Sequence, residues 1–157
     1  MTDTQPEAPA QPQFAIEKLY VKDISLECPN SPELFLENQV PQIEIKLLNH
    51  GKQVGEALYE VTLTVTVTAK VGDRTAYLVE VAQAGVFRVV NVPEETLEMI
   101  LHITCPNILF PYARESVSDL VGRGGFQPII LAPVNFEVLY QQQRAQQAGA
   151  EASASIN

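Results

Sequence analysis

Residues 59–70 alternate without interruption. Tyr59, Val61, Leu63, Val65, Val67 and Ala69 fall on one side of an extended chain; Glu60, Thr62, Thr64, Thr66, Thr68 and Lys70 fall on the other. A period of two held this long predicts a half-buried strand, Glu56–Val71 in full extent. Gly72-Asp73 supplies a tight turn, and Arg74–Val90 returns as a second strand. There Thr75, Tyr77, Val79, Val81 and Gln83 share one face, while Ala76, Leu78, Glu80 and Ala82 share the other. Gly85 reads as a bulge or bend. Upstream, Phe14–Glu27 alternates loosely through Phe14, Ile16, Tyr20 and Leu26; Lys22 and Asp23 break the pattern, as a bulge or an edge strand would. Ile43–Leu48 makes a short strand. Residues 28–41 hold three prolines and no period, which predicts a long loop of the kind that usually carries function.

The period changes after Asn91. Pro93 suits the first turn of a helix, with Glu94 and Glu95 near its positive end, and Leu97, Ile100 and Leu101 have helical spacing. Pro106 is expected to interrupt it. Pro111-Tyr112 opens a second piece with Val117, Leu120 and Val121 along one face, stopped by Gly122, Gly124 and Gly125. A last helix, Val134–Gln147, carries Phe136, Leu139 and Tyr140 as its apolar stripe. Strands followed by helices predict an α+β fold: a four-stranded antiparallel sheet with helices packed on one face. With no β-α-β alternation, a parallel nucleotide-binding sheet is disfavoured. The ordered domain is expected over residues 14–144, between polar tails at 1–13 and 145–157 read as disordered.

Composition narrows the function. A chain of 157 residues with 46% apolar side chains fits one domain with a core that needs no disulfides. Cys28 and Cys105 show neither CxxC spacing nor a nearby histidine pair, so reduced thiols in a cytosolic protein are expected, with no metal. The polar N-terminus lacks the apolar core of a signal peptide, and no run is long enough to insert in a membrane. A net charge of −9 argues against nucleic acid and anionic membranes and favours basic partners.

Reactive chemistry is sparse. His50, beside Gly51, reads as a solvated turn residue. His102 and Cys105 stand three apart on the first helix, so a small α+β enzyme using this Cys/His pair is one alternative. No phosphate loop, dinucleotide fingerprint, nucleophile elbow or zinc-protease motif is present, and no cofactor is expected. The glycine-rich GRGG at 122–125 follows a helix rather than preceding one, the wrong end for phosphate.

What stands out instead is apolar. Leu34, Phe35 and Leu36 lie in the proline-rich loop, and Phe136, Leu139 and Tyr140 line the last helix. Loop and helix flanking a groove would hold extended apolar segments of other chains. Each buried anchor contributes about 1.5–3 kcal/mol with little sequence selectivity. Such a site distinguishes unfolded chains from folded ones and needs no ATP.

Three separated blocks carry a family resemblance: YVKDISLECPNSP, TVTAKVGDRTAYLVEVAQAGVF, and CPNILFPYARE with LAPVNF. Across about residues 14–141 the chain resembles the SecB family of bacterial protein-export chaperones. The resemblance implies a cytosolic, ATP-independent holdase that keeps precursor proteins unfolded and delivers them to the SecA ATPase. It implies the β4α2 fold assembled as a homotetramer, a dimer of dimers. The family's SecA contact matches Asp23, Glu27, Leu78 and Glu80, an acidic patch suited to the basic, zinc-carrying tail of SecA. Positions that influence tetramer assembly match Val79, Val81 and Gln83. One departure is Gln39, where family members commonly carry tryptophan; this chain has none. A SecB-like chaperone dedicated to an antitoxin client is a further alternative.

Overall fold

Four long strands form one antiparallel sheet in the computed structural model, which describes residues 10–154. They are β1 (Gln13–Glu27), β2 (Gln42–Gly55), β3 (Leu58–Val71) and β4 (Arg74–Val90), in spatial order β1-β4-β3-β2. Two hairpins build the β2-β3-β4 portion. The turn at Gly72 needs a left-handed backbone, φ 61°, which glycine adopts without steric cost. β1 lies at one edge and β2 at the other, so residues 28–41 must cross the end of the sheet.

The alternation predicted for β3 and β4 is observed. Val61, Leu63, Val65, Val67, Ala69, Tyr77, Val79, Val81 and Phe87 are buried on the inner face. β1 pairs along β4 with register shifts between Ile16 and Lys18 and between Val21 and Asp23, so the expected irregularity at Lys22 and the edge position both occur. Gly85 forms no bulge; its pairing with Leu19 and Val61 is regular. Its lack of a Cβ leaves room for the Phe87 ring, whose edge would stand 2.8 Å from a side chain placed there. β2 is longer than Ile43–Leu48. Asn49, His50, Gly51 and Lys52 pair with Leu63, Thr62, Val61 and Glu60, so His50 is a strand residue, not a turn residue. The exposed hydrogen-bonding edge of β3 overrides the weak strand propensity of this stretch.

Helices follow the sheet: α1 (Glu94–Met99), α2 (Cys105–Arg123) and α3 (Phe136–Ala154). Pro106 does not break the chain between α1 and α2. A π turn, Ile100–Thr104, joins them, with the Cys105 N–H donating to the Ile100 carbonyl. In that register the Leu101 carbonyl faces Pro106, which has no N–H. The Asn49 side-chain amide takes its place and donates to Leu101 O at 3.1 Å. Pro111 also sits within α2, on its exposed side, where the Asn107 carbonyl it leaves unpaired can be hydrated. Cys105, Leu109, Ala113, Val117 and Val121 recur every four residues and form the stripe that seals the inner face. Asn135 caps α3, accepting the Val138 N–H at 3.1 Å, so that helix starts two residues after Val134. α3 continues past Arg144 with exposed side chains through Ala154; most of the expected N-terminal tail lies outside the described residues.

Candidate functional site

The crossing segment is clamped at several points. A short 3-10 turn, Glu33–Leu36, buries Leu34 and turns Phe35 toward the segment after α2. Asn30 donates to the Thr75 carbonyl at 2.9 Å, and the Arg74 guanidinium donates to the Glu37 carboxylate at 2.9 Å. That pairing holds the Glu37 carboxyl below its usual range. Phe126 packs between Phe35 and Tyr77, with ring centroids 5.1 Å from each. Gly125 makes this possible. Its φ is 85°, and a Cβ there would stand 3.0 Å from the Phe35 ring.

Beside this aromatic stack lies an open trough of about 310 Å³. Val40, Pro41 and Ile43 form one wall and Phe126, Pro128 and Ile129 the other, with Tyr77 also lining it. Val40 is 91% exposed, so an apolar side chain is offered to water with no covering from the described residues. Gln39 is exposed next to it. Sequence reasoning placed the end of the loop here but missed Phe126, Pro128 and Ile129. Their signal was present: FQPII is apolar and too proline-rich for a helix, hence a wall in extended conformation.

The six residues expected to line one groove are not brought together. Leu34 is a buried anchor, while Phe35 and Leu36 are exposed. Phe136 is buried against Phe110, ring centroids 6.0 Å apart. Leu139 and Tyr140 line a separate small cleft of about 20 Å³ with Leu47, Asn49 and His102. The trough is therefore flanked by the segment after α2, not by α3. Geometry explains the difference: Phe136, one turn before Tyr140, is drawn into the core and commits that face of α3 to it.

The outer face of the sheet holds the predicted acidic positions. Glu27 pairs with Leu78, Ser25 with Glu80 and Asp23 with Ala82, so Asp23, Glu27, Leu78 and Glu80 share this face. None of the three carboxylates has an ion-pair partner among the described residues; Glu80 accepts a hydrogen bond from Thr66 at 3.4 Å. Val79, Val81 and Gln83 point the other way and are buried in the chain's own core, so they present no open surface to another copy.

At the opposite end of the outer face stands a cluster that the sequence did not flag. Lys22 donates to Glu60 at 2.7 Å, Lys52 stands 3.8 Å from it, and the Tyr20 hydroxyl donates to its other oxygen. The lysine and phenol hydrogen bonds hold the Glu60 carboxyl below its usual range. Burial, with the Glu60 carboxylate beside it, pushes the Tyr20 phenol up to about 12.

His102 and Cys105 do not form a reactive pair. Burial pushes the Cys105 thiol up to about 12, which removes the thiolate a nucleophile needs. The His102 ring lies on Tyr140 with centroids 5.0 Å apart, and Nδ1 stands 2.8 Å from the Glu98 carbonyl. Gly124 packs beside Cys28, where burial pushes the thiol up. Among the described residues, no cluster of histidine, cysteine, aspartate and glutamate could hold a metal, and no helix is long and apolar enough to cross a membrane.

Comparison with known proteins converges on one family. Residues 7–147 match the family model described as preprotein translocase subunit SecB. The chain is 62% identical over 146 residues to the protein-export protein SecB of Dechloromonas aromatica, covering 93% of this chain and 96% of that relative. It is 52% identical over 142 residues to the protein of the same name from Neisseria gonorrhoeae, covering 89% and 97%. Among solved structures, the fold is similar to that of a SecB-like chaperone of Mycobacterium tuberculosis in complex with a ChAD peptide from the HigA1 antitoxin. That match has TM-score 0.65 at 17% identity, over 77% of this chain and 90% of the other. On the strength of a family model spanning most of its length and relatives this close, the chain belongs to the SecB family.

Proposed function

We propose that this protein is an ATP-independent export chaperone. It holds precursor chains unfolded in the cytoplasm and passes them to SecA. The observation that carries this reading is the open apolar trough between Val40 and Phe126, bordered by Tyr77. Its walls are fixed by the Phe35–Phe126–Tyr77 stack, so it needs little ordering when a chain enters. A folded protein has no extended apolar segment to offer it; an unfolded one does. The buried thiol and engaged imidazole favour binding over catalysis.

Delivery uses the other side of the molecule. Asp23, Glu27 and Glu80, with Leu78 among them, form the docking patch for the basic tail of SecA. The working unit is a homotetramer, a dimer of dimers. Phe14, Ile16, Val21 and Ile24 on the edge strand β1, together with Tyr112 on α2 and Ile130, are exposed large apolar groups that a second copy would cover. General export is favoured over a dedicated antitoxin client by the similarity to relatives named for export.

Two variants separate the two surfaces. Phe126→Ala should weaken binding of a reduced, unfolded precursor about tenfold, equivalent to one lost apolar anchor, and leave SecA binding unchanged. Changing Asp23, Glu27 and Glu80 together to lysine should abolish SecA binding and leave suppression of client aggregation intact. Light scattering of an aggregating client and a SecA titration read the two out. Parallel losses in both variants would refute the separation of sites.

A further inference from the structure

We propose that the outer face of the sheet is a two-ended docking surface. Its second end, Lys18, Lys22 and Lys52 around Glu60, takes an acidic segment of the same partner that seats its basic tail on Asp23, Glu27 and Glu80. The proposal rests on the SecA-docking reading given above.

The register defines the second end. Lys18 pairs with Val86, Val86 with Glu60 and Glu60 with Lys52, so these four form one row across all four strands. Lys22 joins them because it is the extra residue at the register shift in β1, which brings its ammonium 2.7 Å from Glu60. Glu60 is the organiser. Its side chain is only 11% exposed, and both carboxylate oxygens are engaged, one by Lys22 and Lys52 and the other by Tyr20. Two ammonium groups therefore share one carboxylate and Lys18 stands beside them in the same row, so three lysines face one glutamate and two positive charges are unmatched. Lys18 has no ion-pair partner among the described residues, and nearby Arg88 is matched by Glu17 at 2.8 Å.

The two ends meet at Lys22 and Asp23, consecutive residues of β1, and diverge from there. The Lys18 and Glu80 rows lie six residues apart along β4, about 20 Å at strand spacing. That exceeds the screening length of about 8 Å at physiological salt, so Lys18 and Lys52 are felt separately from Glu80 and Glu27. In the middle of the face Thr62, Thr64, Ala82 and Ala84 are small and uncharged, allowing a flat partner close approach.

Net charge selects the occupant. At −9 the chain gives free polyanions no net attraction as they approach, so a cationic patch of three lysines gains an anionic ligand when something else holds it near. A basic tail bound at the carboxylate end does that, raising the effective concentration of acidic groups attached to it. Matching both ends also fixes the partner's orientation, because reversal would set like charges together at each end.

The test titrates the full chain with full-length SecA and, separately, with a synthetic peptide of its basic zinc-carrying tail, at low and physiological salt. Lys18→Glu with Lys52→Glu should weaken full-length SecA about five- to tenfold at low salt, less at high salt, and leave the tail peptide unchanged. Lys18→Gln with Lys52→Gln should give a smaller loss of the same sign. Equal affinity of wild type and both variants for SecA at low salt would overturn the proposal. An equal loss for the tail peptide, or a change in oligomer mass in place of a change in SecA affinity, would also overturn it. The triple lysine variant at the carboxylate end serves as the separate control: if it keeps both SecA and peptide binding, the docking reading itself fails, whatever the lysine variants do.

Discussion

The two faces of this one sheet share every backbone atom and meet opposite fates. On the inner face Val61, Val65, Val79 and Val81 are sealed beneath α2. On the outer face Thr62, Thr64 and Glu80 alternate with them and lie under no helix among the described residues. Folding information and recognition information are thus written into the same strands with a period of two. A slip of one residue would exchange them. The edge strand β1 tolerates two register shifts because its far side carries no neighbouring strand among the described residues, and one of them puts Lys22 among the outer-face charges.

The sharpest way to break the comparison is to place the same charge on each face of β3. Val65→Asp buries a carboxylate with no partner under α2 and should cost about 4–5 kcal/mol or abolish folding. Thr62→Asp, three residues earlier on the opposite face, should change stability by about 0.5 kcal/mol or less. Urea denaturation of both variants reads this out. Similar losses would mean the outer face is covered in the working molecule.

This face assignment was legible from sequence because strand period and burial are one signal: the apolar side of Tyr59–Ala69 could only be the covered side. Parity also groups Leu78 with Glu80 and opposes Val79, whereas Asp23 and Glu27 came from the family resemblance, because the loose alternation of β1 breaks at Lys22 and Asp23. What sequence did not yield is whatever depends on where the chain goes between strands. Gln83 and Val79 carry no mark saying that their own helix, rather than a second copy, buries them. The trough pairs Val40 with Phe126, partners 86 residues apart that no local period links. Pro106 reads as a helix breaker, and nothing near it reveals that Asn49, on β2, supplies the missing donor.

That donor gives a prediction of intermediate size. The inner face is sealed by a helix that must pass Pro106, and the π turn is the device that lets it. Asn49→Leu keeps the volume but leaves the Leu101 carbonyl unpaired, and should cost about 1–2 kcal/mol. Amide exchange should quicken at the Cys105 N–H and through Ile100–Thr104 while the outer face stays unchanged. Uniform acceleration over the whole sheet would show instead that Asn49 supports the strand pairing.

The smallest effect belongs to Glu60, and its pH dependence distinguishes charge from packing. The Glu60 carboxyl lies below its usual range when folded, so its contribution is fully present above the unfolded carboxylate value of about 4.3 and is lost as pH falls through the folded value. Tyr20 sets the other limit. Its phenol is pushed up to about 12, so its donor persists past the unfolded value of about 10 and is lost as pH rises further. Glu60→Gln should cost about 0.5–1 kcal/mol at pH 7, and the gap to wild type should narrow as pH falls below the unfolded carboxylate value of about 4.3. A gap that stays constant into acid pH would assign the loss to shape and neutral hydrogen bonding. Glu60 would then be a spacer on the outer face, and the three lysines would have no organising charge between them.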